Sequence, residues 1–142
     1  MRTPYDPAIR IRRREIEDVR VSIGVEMRRL TEVEHRMEHV TSAAVREAEQ
    51  AAREPMMSSY AYLTRMKAER ARLDADRRSL DAGLDRLRAK AAAAYGSLNA
   101  IESAADSFRA EEARLAASAE QSRIDDFAAA AYLRARRGRN VA

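Results

Sequence analysis

The sequence contains no cysteine and no tryptophan, and only four glycines and three prolines among its 142 residues. The lack of cysteine excludes a disulfide framework, thiolate metal ligands and a thiol nucleophile. Aromatic residues make up 5% of the chain, too few for an ordinary β-rich or mixed domain. The apolar runs are short, far below the roughly 20 residues that a membrane-spanning helix needs, and no apolar segment follows the early arginines as in a signal peptide. These absences predict a cytoplasmic protein.

Charged residues make up 35% of the chain, and alanine, arginine, glutamate and leucine are prominent. This composition is typical of a coiled coil or a long helix. Much of the 46% hydrophobic content is alanine, which buries little area per residue, so we expect a thin core.

A seven-residue apolar repeat runs through the first third of the chain. Its first core position is apolar at every step: Ile9, Ile16, Ile23, Leu30, Met37, Ala44 and Ala51. The second core position is filled mainly by valine, with polar exceptions at Glu26 and Glu47. A repeat sustained this long predicts a coiled-coil helix over about residues 8–53.

Pro55 disfavours helix in the residue before it, so the first helix should end near Arg53. Ser58 or Ser59 is a suitable N-cap for a second helix over about residues 59–137. Gly138, which follows three arginines, predicts its C-terminus. The core positions of this second helix are Met66, Leu73, Leu80, Leu84, Leu87, Ala91, Ala94, Leu98, Ile101, Ala105, Phe108, Leu115 and Ala119.

Two heptad helices joined by a turn at about residues 54–58 should fold back on each other. We therefore predict a single all-α domain over residues 1–142: a long two-helix antiparallel coiled-coil hairpin with an overhanging C-terminal helix. Ile9 should lie across from about Ala104, which leaves some 30 residues of the second helix without a partner. The alternative is one continuous kinked helix that dimerises.

The apolar pattern changes within that unpartnered segment. The repeat that holds through Leu115 next reaches Ser122, whereas a new stripe contains Ile124 and Phe127. Residues 127–133 are apolar almost all round, and a helix of this kind is normally buried on most sides. Alanine as a simple helix stiffener does not account for the exposed Phe127, Tyr132 and Leu133, so we predict that a partner buries this segment.

His35, Glu38 and His39 match the H-x-x-E-H pattern of inverted zinc peptidases. They flank the core residue Met37, however, and so should lie on the outer face of a rod that offers no dry cavity. The dispersed glycines form no phosphate-binding loop, and no carboxylate pair stands out as an acid/base couple. We expect no catalytic residue, no metal and no cofactor, and hence no enzyme.

The net charge of +4, the pI of about 9.8 and the early arginines raise the question of nucleic-acid binding. Arg10 to Arg14 precede heptads as in a basic-region zipper, but Glu15, Glu17 and Asp18 follow at once and the base-reading residues of that family are missing. Arginines that contact phosphate specify nothing by themselves. We expect a solvated charged face and no nucleic-acid partner.

The ends of the two predicted helices resemble the flagellar export protein FliJ family. The resemblance lies in Asp125-Asp126-Phe127-Ala128 with Arg134 downstream, in residues 15–18 and 26–29 of the first helix, and in Tyr60-Ala61-Tyr62-Leu63 at the start of the second. It covers nearly the whole chain through short motifs. The family's late helix-1 aromatics are replaced here by Thr41, Ala44 and Ala48.

The resemblance implies a central stalk of the flagellar type III export apparatus. Such a stalk associates with the hexameric export ATPase, connects it to the export gate protein FlhA and handles export chaperones, at the cytoplasmic face of the membrane-embedded apparatus and without inserting into the membrane. The implied ATPase-ring contacts are Ile124, Asp125, Asp126, Phe127, Tyr132, Leu133, Arg134, Arg13 and Arg14. The implied export-gate contacts are Met56, Met57, Tyr60, Tyr62 and Leu63, although the tyrosines also suit a simple hairpin cap.

Two alternatives stay open at this point. The equivalent stalk of a virulence secretion system shares the architecture, although the Asp-Asp-Phe ending favours the flagellar branch. A homodimeric structural coiled coil is the alternative from another class, with the C-terminal segment paired with its own copy.

Overall fold

The computed structural model describes residues 2–54, 56 and 59–141. These residues form two α-helices and no strand: α1 (Asp6–Arg53) and α2 (Tyr60–Val141). The predicted all-α class is confirmed. Pro55, Met57 and Ser58, to which the sequence assigned the turn, a gate contact and a cap, lie outside the described residues.

The chain divides into two compact units, each containing a segment of both helices. The larger unit is Arg12–Gly96. In it, Val25 of α1 shares a surface groove with Leu87 of α2, whereas Ala48 shares one with Leu63. Later residues of α1 therefore lie beside earlier residues of α2. This pairing is the predicted antiparallel hairpin and not the continuous kinked helix.

The smaller unit consists of Met1–Ile11 and Ser97–Ala142. Here the ring of Tyr5 meets the ring of Phe108 edge to face, with centroids 6.4 Å apart. Ile9 is buried one helical turn further along α1. Since the helices run in opposite directions, this contact places Ile9 opposite about residue 104, as predicted.

The heptad positions form the core. Every first-position residue predicted for α1 is buried or half-buried, and so are the α2 positions from Met66 to Phe108. Leu84, 1% exposed, is the largest side chain that is fully buried. Leu115 and Ala119 continue the repeat but are exposed, because no residue in the described part of α1 packs against them.

The start of α1 is fixed by two hydrogen bonds from Thr3 to the Asp6 carboxylate. The Thr3 hydroxyl donates to Asp6 Oδ1 (2.6 Å), and the Thr3 backbone N–H donates to Asp6 Oδ2 (3.1 Å). The bond from the Thr3 N–H to the Asp6 side chain is one half of a capping box, and the Asp6 N–H donates in turn to the Thr3 carbonyl (3.2 Å). This arrangement explains why α1 begins at Asp6, two residues before the predicted start, and its Thr-Pro-x-Asp signal was present in the sequence.

The predicted end of α2 was wrong. The helix continues through Gly138 to Val141, and no described glycine has a positive φ. A glycine ends a helix by adopting a left-handed conformation, which the residue type permits but does not require. The arginines before Gly138 are good helix formers, and the helix continues past it.

The start of α2 is fastened to α1 by a polar contact. The Ser59 carbonyl accepts the N–H of Leu63 (2.9 Å), which is the role of an N-cap backbone. The Ser59 hydroxyl, however, donates to Glu47 Oε1 across the hairpin (2.8 Å) and does not cap its own helix. Glu47, a polar exception in the repeat, thus has a partner at its core position.

The outer faces carry ion pairs within each helix, such as Arg12 with Glu15 (2.7 Å) and Arg29 with Glu26 (2.8 Å). Exposed pairs of this spacing contribute only about 0.3–0.5 kcal/mol each. No helix in the described part of the chain combines the length and the apolar character needed to cross a membrane.

Replacing Leu84 by alanine should lower the free energy of unfolding by about 3 kcal/mol, because a fully buried leucine leaves a cavity. The matched control is Leu133→Ala, at a position 54% exposed, where we expect a change within about 0.5 kcal/mol. Urea unfolding followed by circular dichroism measures both. Equal effects of the two substitutions would contradict the assigned core.

The Asp6 carboxyl has a pKa below its ordinary value of 3.8, chiefly because of the hydrogen bond from the Thr3 hydroxyl, then the bond from the Thr3 backbone N–H, with smaller help from the charge of Arg109. A lowered folded-state pKa stabilises α1 above the unfolded-state pKa, and this stabilisation is lost as the pH falls through the folded-state value, below about pH 4. Thr3→Ala should raise the Asp6 pKa toward the ordinary value. An NMR titration of the carboxyl carbon measures it.

The control for this titration is Thr31→Ala, since the Thr31 hydroxyl donates to the carbonyl of Met27 (3.0 Å) and does not touch Asp6. It should leave the Asp6 pKa where it is. A Thr3→Ala protein with an unchanged Asp6 pKa would remove the hydroxyl as the main cause.

Candidate partner-binding surface

The last 32 residues of α2 before the chain end are exposed without exception. We call residues 110–141 the overhang, since each of them is in the exposed class while the hairpin core ends at Phe108. The overhang belongs to the smaller unit. It is a helix with no tertiary cover from the described residues.

Local interactions keep the overhang helical. Its alanines have the highest helix propensity of any residue. Arg114 donates two hydrogen bonds to the Glu111 carboxylate, 2.9 and 2.7 Å, and Gln121 Nε2 donates to Asp125 Oδ1, 2.9 Å. The bonds from Arg114 lower the pKa of Glu111 below its ordinary value. At this length a helix is well past the 12–15 residues below which isolated helices are marginal.

The overhang carries large apolar side chains in water. Phe127 is 72% exposed, and Ile124, Tyr132 and Leu133 are each more than half exposed. The four apolar side chains assigned to a ring contact therefore all lie on the open surface of one helix. Single exposed apolar residues are ordinary, but four large ones within ten residues of one helix favour an interaction surface.

These side chains surround the helix. At about 100° per residue, Ile124, Phe127 and Ala131 fall within about 100° of one another, whereas Leu133 lies on the opposite side from Ile124. Phe108 and Leu115 also lie roughly opposite Ile124. The stripe of Ile124 and Phe127 is thus not a continuation of the face that packs on α1. A partner that covers both sides must enclose the helix or provide two surfaces.

Asp125, Asp126 and Arg134, the polar residues of the overhang assigned to the ATPase-ring contact, are exposed as well. Asp125 accepts the bond from Gln121, and Arg134 Nε donates to the carbonyl of Ala130 (3.4 Å). Asp126 has no hydrogen bond or ion pair with any described residue. Arg13 and Arg14 belong to the larger unit, where both side chains are exposed.

Sequence reasoning missed the charge distribution of the overhang. Residues 110–126 contain five acidic and two basic side chains, whereas residues 127–141 contain four arginines and no acid. Within the described part of the chain, these arginines form no ion pair. A count of charges in each half of the predicted unpartnered segment would have found this polarity.

The residues assigned to the export gate differ in exposure. Met56 is 98% and Tyr60 79% exposed, while Tyr62 and Leu63 are half-buried; Met57 lies outside the described residues. Tyr60 therefore does not cap the hairpin. Leu63 lines a small groove of ≈ 280 Å³ whose other apolar walls include Val40, Ala44, Ala48 and Met66.

The H-x-x-E-H residues lie on the outer face of α1, as predicted from the half-buried Met37. His35 Nδ1 is 4.0 Å from Glu38 Oε2, and both side chains are largely exposed. Among residues 2–54, 56 and 59–141, no three His, Cys, Asp or Glu side chains are grouped so that they would hold a metal ion.

Comparisons with known proteins identify no relative of this chain. No protein-family model matches the chain, no curated protein matches it, and no solved structure matches it.

Proposed function

We propose that the protein is a non-enzymatic central stalk and escort component of the flagellar type III export apparatus. The observation that supports the proposal most is the fully exposed overhang with its apolar tip, which consists of Ile124, Phe127, Tyr132 and Leu133. The resemblance of the chain to the FliJ family names the partner: the bore of the hexameric export ATPase.

The tip is suited to an enclosing partner. Ile124 and Leu133 lie on opposite sides of one helix, so a flat surface reaches only one of them. A ring encloses the helix and removes apolar surface from water all round, at about 25 cal/mol for each Å². Asp125, Asp126 and Arg134 then set the orientation in the bore, with Arg13 and Arg14 as weaker contacts.

The hairpin end provides the second contact of the proposal. Met56 and Tyr60 expose apolar surface there, next to the groove lined by Leu63. Under the proposal this end associates with the export gate protein FlhA, and the hairpin also handles export chaperones. The protein is then peripheral, at the cytoplasmic face of the membrane-embedded apparatus.

Removal of Ser122–Ala142 should abolish stimulation of the flagellar export ATPase and of its ring assembly, because the apolar tip is lost. The hairpin core ends at Phe108, so the shortened chain should keep its helical circular dichroism. ATP hydrolysis measured while the ATPase is titrated with each protein makes the comparison. Stimulation equal to that of the full chain would exclude the ring contact.

A point variant refines this experiment. Phe127→Ala should weaken stimulation at least several-fold, whereas Tyr95→Ala, at an exposed aromatic outside the overhang, should not change it. If both variants behaved alike, the effect would not belong to the tip.

Tyr60→Ala should weaken association with FlhA about tenfold and leave ATPase stimulation intact, since an exposed aromatic anchor typically contributes more than 1 kcal/mol at an interface. Tyr60 serves better than the half-buried Leu63, because a polar residue at Leu63 would also disturb the hairpin. Tyr95→Ala is again the control, and calorimetric titration with FlhA is the measurement. Undiminished association would remove the hairpin end from the gate contact.

A further inference from the structure

The overhang contains a second heptad frame, different from the one that packs on α1. In this frame the a positions are Arg114, Gln121, Ala128 and Ala135, and the d positions are Ala117, Ile124, Ala131 and Gly138. All of these side chains are exposed, and so is the backbone of Gly138. Apart from Arg114 at one end and Gln121, the positions are small or apolar, and small residues allow two helices to approach closely.

We propose that the overhang pairs with the overhang of a second copy of this chain as an antiparallel coiled coil. The proposal goes beyond the stalk function and does not rest on it. The charge distribution favours a second copy as the partner, since one half of the overhang is acidic and the other half is basic. Antiparallel pairing sets each acidic half against a basic half.

The heptad frame defines the alignment residue by residue. Setting Ile124 against Ala128 of the second copy places Ala117 against Ala135 and Ala131 against Gln121. In antiparallel coiled coils the flanking g positions face each other, and so do the e positions. Glu120 then faces Arg134 at the g positions, and Glu111 faces Arg139 at the e positions.

The two-fold axis repeats both ion pairs, so Glu111 and Glu120 of either copy each meet an arginine of the other. Phe127 meets Phe127 of the second copy beside the axis, which covers the most exposed apolar side chain of the tip. Asp125 meets its own counterpart as the one like-charge pair along the e and g flanks, and it accepts the hydrogen bond from Gln121.

Other alignments of the two overhangs lose the ion pairs between Glu120 and Arg134 and between Glu111 and Arg139. A shift by one heptad in either direction places no acidic residue against an arginine at the e or g positions. A parallel, in-register pair sets Glu120 against Asp125 and Arg134 against Arg139. Like charges at these positions repel, so the sequence favours the antiparallel alignment and disfavours the parallel one.

An interface made largely of alanine buries little apolar area, so the pairing should be weak and reversible. It also covers Ile124 and Phe127, the same side chains that the stalk function assigns to the ring. A second copy and a ring are then mutually exclusive occupants of one face.

Sedimentation equilibrium of the full chain at low ionic strength tests the pairing. We expect a reversible monomer–dimer equilibrium whose dissociation constant rises with salt. The variant Arg134→Glu/Arg139→Glu and the variant Glu111→Arg/Glu120→Arg each convert every opposite-charge pair into a like-charge pair. Each alone should raise the dissociation constant at least about tenfold.

An equimolar mixture of the two variants should dimerise as strongly as the unchanged protein, because positions 120 and 134, and positions 111 and 139, again join opposite charges. All four positions are exposed, so the hairpin core should be the same in each sample, and circular dichroism checks the helical content of the overhang, where Glu111 pairs with Arg114. A chain that stays monomeric, variants that dimerise normally, or a mixture that fails to recover would each overturn the proposal. ATPase stimulation by the unchanged chain tests the stalk function separately, because a chain that stays monomeric can still stimulate the ATPase and a chain that dimerises can fail to.

Discussion

The contact between the beginning of α1 and the middle of α2 decides which part of α2 is left to solvent. Thr3 and Asp6 satisfy polar groups at the first turn of α1, and this fixes where that helix begins. Tyr5 and Asp6 then reach Phe108 and Arg109 of α2. Beyond that point no described residue of α1 remains to cover α2. The exposed apolar tip follows from the position of one helix start.

The stripe of Ile124 and Phe127 has two proposed occupants. An ATPase ring and a second copy both remove Ile124 and Phe127 from water, and neither needs the hairpin to change. If both proposals hold, concentration and salt decide between the two occupants, because a ring would enclose the helix while a second copy would rely on exposed charges. Under the second proposal, self-association would cover Ile124 and Phe127 and leave Leu133, on the opposite side of the helix, in water.

The fold was predictable because its strongest signal is local and periodic. A seven-residue repeat in each arm and a proline between them specify two paired helices. The Glu47–Ser59 contact was not predictable in the same way, since it joins residues on either side of the turn and needs the folded hairpin to bring them together. The helix end predicted at Gly138 was wrong because glycine permits a helix to end but does not require it. The exposed tip was predictable from the unequal helix lengths, whereas the sequence of this chain alone does not specify what binds there.

The run Ala128–Ala131 has a geometric consequence. Four successive residues make slightly more than one helical turn, so alanine occupies the whole circumference there. The helix is consequently narrow between Phe127 and Tyr132, and a bulky aromatic side chain lies at each end of this narrow segment. The two aromatic rings would hinder a protein that encircled this segment from sliding along the helix axis. The small alanine side chains between them would offer little resistance to rotation about that axis.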